Sequence, residues 1–401
     1  MDPNRLRMDF PLFRGDDDDR RIIYFDNACM TLKPQPVIDK LMDYYSYYPA
    51  CGGRSIHKLS SRVTEEYEEA RDTISDFIGA HHRDSVIFTK NSTESMNLIS
   101  NSFPFHKGDR VLGTDHEHNS NIVPWLRAME TRGIGYEVVP SCDDNSFDLE
   151  KYKEMVKGVK LVSMVHVSNL DGTRIPEKEV IEIAHDAGAY VALDCAQSVP
   201  HFPMDMKGLD LDFLVFSGHK ACGPTGTGVL AGKPDLIEKF SPFIVGGDTV
   251  EDTWYDKVRY LKPPKRFEGG LQHFAGFIGL GEAIKYLDGI GPENIHDHEI
   301  ELNRYATELL SDKLEILGAE DPTNRSGIFP FRVKGLNPHD VTMMLDDLSN
   351  ICIRSGRHCV HSWFNERKME SSSRASFYLY NTKEEIKIMA ETLETLINDF
   401  T

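Results

Sequence analysis

The sequence predicts an α/β protein built on a mostly parallel seven-stranded sheet with helices on both faces. Short apolar, β-branched runs recur at residues 85–89, 110–113, 136–139, 161–167, 190–193, 213–216 and 228–231. Amphipathic segments lie between several of them. One, residues 178–187, ends at Gly188, where a helix C-cap would fall. Strand, helix, strand at this rhythm gives a sheet whose strands are joined by crossovers and covered on both sides.

Beyond the last run the pattern changes. Residues 282–317 read as long helix with a restart at Pro292, followed by an apolar stretch at 328–333, a helix near 339–348, a strand at 351–354 and a final helix at 383–399. That is a smaller α+β C-terminal domain. The expected division is an N-terminal segment (1–21) packing on the small domain, a large domain (22–290) and the small domain (291–401) carrying Cys359 and Arg374. A chain of 401 residues exceeds one ordinary domain.

Composition narrows the function. With 40% hydrophobic and 27% charged residues the chain is globular. No apolar run approaches the roughly 18 residues of a membrane span. The first 21 residues lack the apolar stretch of a signal peptide and carry the acidic run Asp16 to Asp19, so the expected location is cytoplasmic. A net charge of −19 without a basic patch argues against a nucleic-acid partner. Seven cysteines (29, 51, 142, 195, 222, 352 and 359) are scattered and odd in number. They form neither a disulfide framework nor a zinc site, so any special cysteine is expected to be a reactive thiol.

Parallel sheets place ligands at the carboxyl ends of their strands, so the residues just after each run are the candidates. Asp194-Cys195-Ala196-Gln197 follows one run, Ser217-Gly218-His219-Lys220 another, and Ser168-Asn169 a third. A lysine just past a strand, followed by the glycine-rich chain Gly223 to Gly228, can lose hydration and act as an amine nucleophile. With Asp194 on a neighbouring strand end, the set fits pyridoxal 5'-phosphate (PLP). That ring needs a carboxylate on its nitrogen, which Asp194 offers, and an amide on its phenolate oxygen, for which Gln197 and Asn169 are candidates. Its phosphate suits a helix N-terminus with small hydroxyl residues, such as Ser92 and Thr93. His118 is the candidate to cover the ring face. The pair His116 and His118 has no third partner with metal-ligand spacing, so no metal is expected.

Leu193-Asp194-Cys195-Ala196-Gln197, Ser217-Gly218-His219-Lys220 with Gly223-Pro224-Thr225-Gly226, Arg354-Ser355-Gly356-Arg357-His358-Cys359 and Arg374-Ala375-Ser376 form an ordered set. This set resembles the class V aminotransferase-like PLP enzymes, and within them the short-loop, group II cysteine desulfurase/selenocysteine lyase branch. The likeness covers residues 22–398. It implies the PLP fold type I, a homodimer with active sites at the subunit interface, and conversion of L-cysteine to L-alanine with sulfur held as a persulfide. It implies that Lys220 bonds the cofactor and moves protons, that Asp194 pairs with the ring nitrogen and Gln197 with the phenolate oxygen, and that His118 stacks on the ring. Thr93, Ser92, Ser217 and His219 would hold the phosphate. Asn169, Arg374 and Arg354 would bind the substrate, and Cys359 would take the sulfur.

Arg357, His358 and His361 are the sequence neighbours expected to supply positive charge to Cys359. The short loop implies a sulfur-acceptor or scaffold protein that comes to the site, with iron–sulfur cluster assembly as destination. The same scaffold also serves selenocysteine lyases, kynureninase-like lyases, epimerases and aminotransferases, of which the last three need no protein thiol. Two departures stand out. Leu271 occupies the place of a phosphate-contacting threonine in the family, with Gln272 or His273 as candidate substitutes. Cys195 and Cys222 lie beside cofactor residues and are expected to be packing residues.

Overall fold

A computed structural model describes residues 1–14 and 22–400. The acidic run Asp16 to Asp19 lies outside the described residues. The seven strands of the main sheet are β1 (Val86–Thr89), β2 (Arg110–Thr114), β3 (Gly135–Val139), β4 (Leu161–Val165), β5 (Tyr190–Asp194), β6 (Phe213–Ser217) and β7 (Gly228–Gly232). Their order across the sheet is β1-β7-β6-β5-β4-β2-β3. Only β7 runs antiparallel to its neighbours, β6 and β1; the other pairings are parallel.

The continuous apolar runs follow from burial on both faces. Val111, Leu161, Ala192, Phe213, Val215 and Leu230 face one layer, where Trp125 and Leu98 pack from helices Asn119–Arg132 and Ser92–Ser102. Leu112, Val162, Leu193, Leu214, Phe216 and Val229 face the other. There, residues of helices Lys58–Phe77, Glu177–Asp186 and Phe274–Ile290 cover them.

The structure differs from the sequence reading at two elements. The helix expected over 282–317 restarts at Pro292 as expected, after Gly291 with φ +87°, but its two parts, Phe274–Ile290 and Pro292–Leu310, begin and end earlier than expected. The first part extends back through Gly276, Gly279 and Gly281, which serve close packing. A Cβ on Gly281 would stand 2.7 Å from that of Ala70 on the neighbouring helix. The strand expected at 351–354 is split. Ile351–Cys352 pairs in parallel with Ile23–Tyr24, whereas Arg354–Gly356 joins a separate sheet.

That second sheet is antiparallel, with strands β8 (Glu315–Ile316), β9 (Ile328–Arg332), β10 (Arg354–Gly356) and β11 (Ser372–Ser376) in the order β8-β9-β11-β10. Helices Pro292–Leu310, Pro338–Ser349 and Lys383–Phe400 close its core around Phe329, Phe331, Leu345 and Leu393. At the amino end, Arg7 donates to the Tyr380 carbonyl and pairs with buried Glu385, while Phe10 packs on the Tyr380 ring at 4.6 Å. The Tyr380 hydroxyl in turn accepts the Leu32 N–H at 3.0 Å. No helix among the described residues is long and apolar enough to cross a membrane.

One buried ion pair locks β1 in place. Arg71 reaches Glu268 through both ends of its guanidinium, at 2.8 and 3.0 Å, and also donates to the Val86 carbonyl at 2.7 Å. Glu268 further accepts the Phe88 N–H at 2.8 Å. Removing the cation leaves a buried carboxylate without its counter-charge, which costs roughly 3–5 kcal/mol. Arg71→Ala is therefore expected to lower unfolding stability by about that amount in urea titrations followed by tryptophan fluorescence. A loss below about 1 kcal/mol, the range of exposed pairs, would refute the role.

Candidate active site

The site forms where the carboxyl edge of the large sheet meets the small one. A cavity of about 240 Å³ is lined by Ser92, Thr93, His118, Asn169, Asp194, Gln197, Ser217, His219, Lys220, Arg354, Cys359 and Arg374. Every residue expected to bind the cofactor or substrate or to take the sulfur faces this one space, apart from the substitutes considered for the Leu271 position. Ala28, Cys29, Asn91, Ser120 and His358 line it as well.

Asp194 ends β5 and Lys220 closes the short 3-10 turn Gly218–Lys220 after β6, the strand beside it. Burial pushes the Asp194 carboxyl up, and the Lys220 charge opposes the rise. Burial likewise pulls the Lys220 amine down, and Asp194 opposes the fall. The turn is clamped from outside the sheet. The His219 carbonyl accepts from the Thr31 N–H at 3.1 Å, and the Thr31 hydroxyl also accepts the Cys222 N–H at 2.9 Å. Cys195 and Cys222 are both fully buried. Gln197 donates its side-chain amide to the Ala28 carbonyl at 2.7 Å, which fixes the plane of its head group.

Asn91 caps helix Ser92–Ser102 by accepting the Glu94 N–H at 3.0 Å. The cap loop sits directly on β7: a Cβ on Gly228 would fall 2.4 Å from Asn91 Cα. Ser217 Oγ accepts the Ser92 N–H at 2.9 Å, tying this helix start to the lysine turn. Thr93 and Ser120 share a hydroxyl hydrogen bond at 2.6 Å. His219 is pulled down to about 4 by burial and by the Lys220 and Lys33 charges, so it acts near neutral pH as an uncharged ring.

His118 caps helix Asn119–Arg132, its Nδ1 accepting the Ser120 N–H at 3.0 Å. That assigns the ring proton to Nε2. Burial, followed by the Lys220 and Arg374 charges, lowers His118 to about 3. The same loop is anchored by His116, which bridges Asp115 Oδ1 at 2.8 Å and Asp171 Oδ2 at 3.1 Å. Burial opposes protonation of His116, but the two carboxylates outweigh it and raise the ring to about 10. Asp171 belongs to the loop of Asn169, so this ion triad fixes two strand-end loops to each other.

The small domain supplies the cations. Arg374, on β11 and 2% exposed, donates Nη1 to the Asn169 carbonyl at 2.7 Å and faces Asp26 Oδ1 at 3.6 Å. Its Nε and the Asn169 Oδ1 are buried without a hydrogen-bond partner. The Asn169 amide donates to the His358 carbonyl at 2.7 Å. His358 and Cys359 have φ of +49° and +60°, two consecutive non-glycine residues in the left-handed region. The loop is held there by that bond, by Asn119 N–H on the Cys359 carbonyl at 2.7 Å and by Val360 N–H on the Arg357 carbonyl at 2.8 Å. The Cys359 side chain remains exposed.

The expected source of charge near Cys359 needs correction. Arg357 is bonded to the Glu370 carbonyl and the Asn365 side chain. Burial, with Arg374 and Arg354 beside it, holds His358 well below its usual range and therefore uncharged. His361 shares a hydrogen bond with Asn119. The cations that line the cavity with Cys359 are Arg354, from the same short stretch, and Lys220 and Arg374, from other strands. At the other departure, Leu271 is exposed, and the Gln272 amide is occupied by the Glu268 and Gly270 carbonyls.

A desolvated amine and a buried carboxylate at adjacent strand ends, with a neutral histidine and an arginine facing the same space, define an enzyme site. Comparison with known proteins gives its family. The aminotransferase class-V family matches residues 23–389. A probable cysteine desulfurase of Pyrococcus abyssi is 39% identical over 400 residues, covering 98% of each chain. The apo structure of a cysteine desulfurase from Thermococcus onnurineus superposes with a TM-score of 0.94 at 37% identity, covering 99% of this chain and 98% of that one. The Escherichia coli cysteine desulfurase CsdA gives 0.92 at 28% identity with full coverage of both chains. The chain belongs to the class V aminotransferase family, in its cysteine desulfurase branch. The family uses pyridoxal 5'-phosphate.

The His116 triad leaves a pH signature. A ring raised from 6.5 to about 10 contributes stability that is fully present below 6.5 and is lost as pH climbs toward 10. His116→Gln is thus expected to lower the melting temperature most at mildly acidic pH, the gap to wild type narrowing as pH rises. A gap that stays constant across that window would overturn the assignment.

Proposed function

We propose that this chain is a PLP-dependent cysteine desulfurase that converts L-cysteine to L-alanine and holds the sulfur as a persulfide on Cys359. The observation that carries this reading is the meeting of Lys220, Arg374 and the exposed Cys359 thiol in one cavity. The donor set fits the cofactor. Asp194 offers a carboxylate for the ring nitrogen, Gln197 an oriented amide for the phenolate oxygen, and His118 a neutral ring for the face. Ser92, Thr93, Ser217 and His219 surround the start of a helix, which suits a phosphate. Lys220 would tether the cofactor covalently. When bound, PLP supplies an electron sink for the charge that develops at the substrate Cα.

The protein groups do the rest. Arg374 Nε and Asn169 Oδ1, unpartnered and buried, support capture of the substrate backbone, with the carboxylate on the guanidinium and the amine near the amide oxygen. Arg354 Nη1 lies beside them, 3.4 Å from Asp26. Lys220, whose burial favours the neutral amine, takes the Cα proton at Nζ. His118 keeps its Nε2 proton and remains uncharged. The Cys359 thiolate then forms an S–S bond to the substrate sulfur as the substrate C–S bond breaks, and the carbon skeleton leaves as alanine after protonation. The attack requires the thiolate, and Arg354 and Arg374 line the same cavity as the Cys359 thiol.

The loop around Cys359 is too firmly bonded to carry the sulfur away, which supports a separate acceptor or scaffold protein that approaches the exposed thiol, with iron–sulfur cluster assembly as destination. All seven cysteines are free thiols, which supports a reducing compartment such as the cytoplasm. Exposed Ile56, Trp254, Tyr255 and Leu271 lie on loops near a second cavity lined by Arg54, Asp248, Val250 and Gln272, which supports a homodimer.

Incubation of the protein with PLP and L-cysteine is expected to yield alanine, with the persulfide mapping to Cys359 by mass spectrometry, and to release sulfide once a thiol reductant such as dithiothreitol is added. Lys220→Ala should lower turnover by about 10²–10⁴-fold, the usual value of a positioned proton-transfer group. Cys359→Ala should keep the visible absorbance of the bound cofactor but release no sulfide. Normal turnover of cysteine by that variant would sink the proposal.

A further inference from the structure

A second thiol shares the cavity. Cys29 lies in the turn after Asp26, and its half-buried sulfur accepts a hydrogen bond from Arg354 Nη1 at 2.6 Å. Arginine only donates, so this contact turns a sulfur lone pair toward the guanidinium. Cys29 and Cys359 both line the space that contains Lys220 and Arg374. Both sulfurs act electrostatically on the same three cations, Arg354, Arg374 and Lys220. Buried Arg374, with its unpartnered Nε, marks this space as one that receives an anion. The other buried thiols, Cys195 and Cys222, lie outside the cavity lining.

We propose that Cys29 is a second sulfur carrier, which takes the outer sulfur of the Cys359 persulfide and thereby frees Cys359 for another round. The inference rests on the persulfide chemistry proposed for Cys359. The Cys29 thiolate attacks the terminal sulfur of Cys359–S–SH. One S–S bond forms at Cys29 as the S–S bond at Cys359 breaks, and Cys359 leaves as thiolate. The proton of the transferred sulfur travels with it. The exchange is redox-neutral and needs no external oxidant or reductant. Arg354, bonded to Cys29 and acting on Cys359, is the cation that both thiolates share. The transferred sulfur becomes half-buried, whereas Cys359 is exposed, so the relay shields it until an acceptor arrives.

The test uses the PLP-loaded enzyme with a few molar equivalents of L-cysteine per subunit, under anaerobic conditions, with rapid quenching and no added reductant or acceptor protein. The alanine burst is measured, and sulfane sulfur is mapped by alkylation and mass spectrometry. Wild type is expected to release about two alanines per subunit in the burst and to carry sulfane sulfur on both Cys29 and Cys359. Cys29→Ala and the near-isosteric Cys29→Ser should release about one and carry it on Cys359 alone. Cys359→Ser should leave Cys29 unmodified, because Cys29 is loaded only through Cys359. Sulfur on Cys359 alone in wild type, with a burst unchanged by both Cys29 variants, would overturn the relay. So would a Cys29–Cys359 disulfide with released sulfide. Failure of the underlying activity reads differently: no alanine forms and Cys359 is never loaded.

Discussion

Two opposite charges stripped of water at neighbouring strand ends govern the layout of this molecule. Burial alone would neutralise both Asp194 and Lys220, and each partly restores the other. Such a pair is a poor source of stability, because the lost hydration offsets most of the attraction. Its value lies in reactivity, and the surroundings serve to hold it still. The Thr31 clamp on the His219 carbonyl fixes the lysine turn, and the Ser92–Ser217 bonds join that turn to the helix start across the cavity. The His116 triad performs the same service for the histidine and asparagine loops.

The two sheets divide the chemistry. The large sheet provides the buried titratable groups Asp194, Lys220 and His118. The small one provides Arg354 and Arg374 together with the exposed thiol. The loop between β10 and β11 keeps His358 and Cys359 in left-handed geometry, which costs about 1–3 kcal/mol for each residue. Three hydrogen bonds from Asn169, Asn119 and Val360 offset that strain. A sulfur so placed has its direction set before substrate arrives.

Much of this was legible in the sequence for a physical reason. Strands buried on both faces read as uninterrupted apolar runs, and the residues after three of them, Ser168-Asn169, Asp194 to Gln197 and Ser217 to Lys220, supply much of the cavity lining. What escaped depended on three-dimensional proximity. The glycines of helix Phe274–Ile290 signal breaks in one dimension and close packing in three. The charge around Cys359 was sought among its sequence neighbours, whereas Arg374 and Lys220 arrive from other strands. Cys29 and the Thr31 clamp precede the first strand of the large sheet, so a reading confined to residues after strands passes over them. The amide of Gln197 is a candidate ligand group in the sequence, but its bond to the Ala28 carbonyl carries no sequence signal.

The strap at the amino end reaches further than its position suggests. Arg7 and Phe10 hold Tyr380, whose hydroxyl holds the Leu32 N–H, one residue from the threonine that clamps the lysine turn. The first dozen residues are thus mechanically continuous with the reactive amine. Affinity tags, fusion partners or proteolytic trimming at that end therefore bear on the active centre.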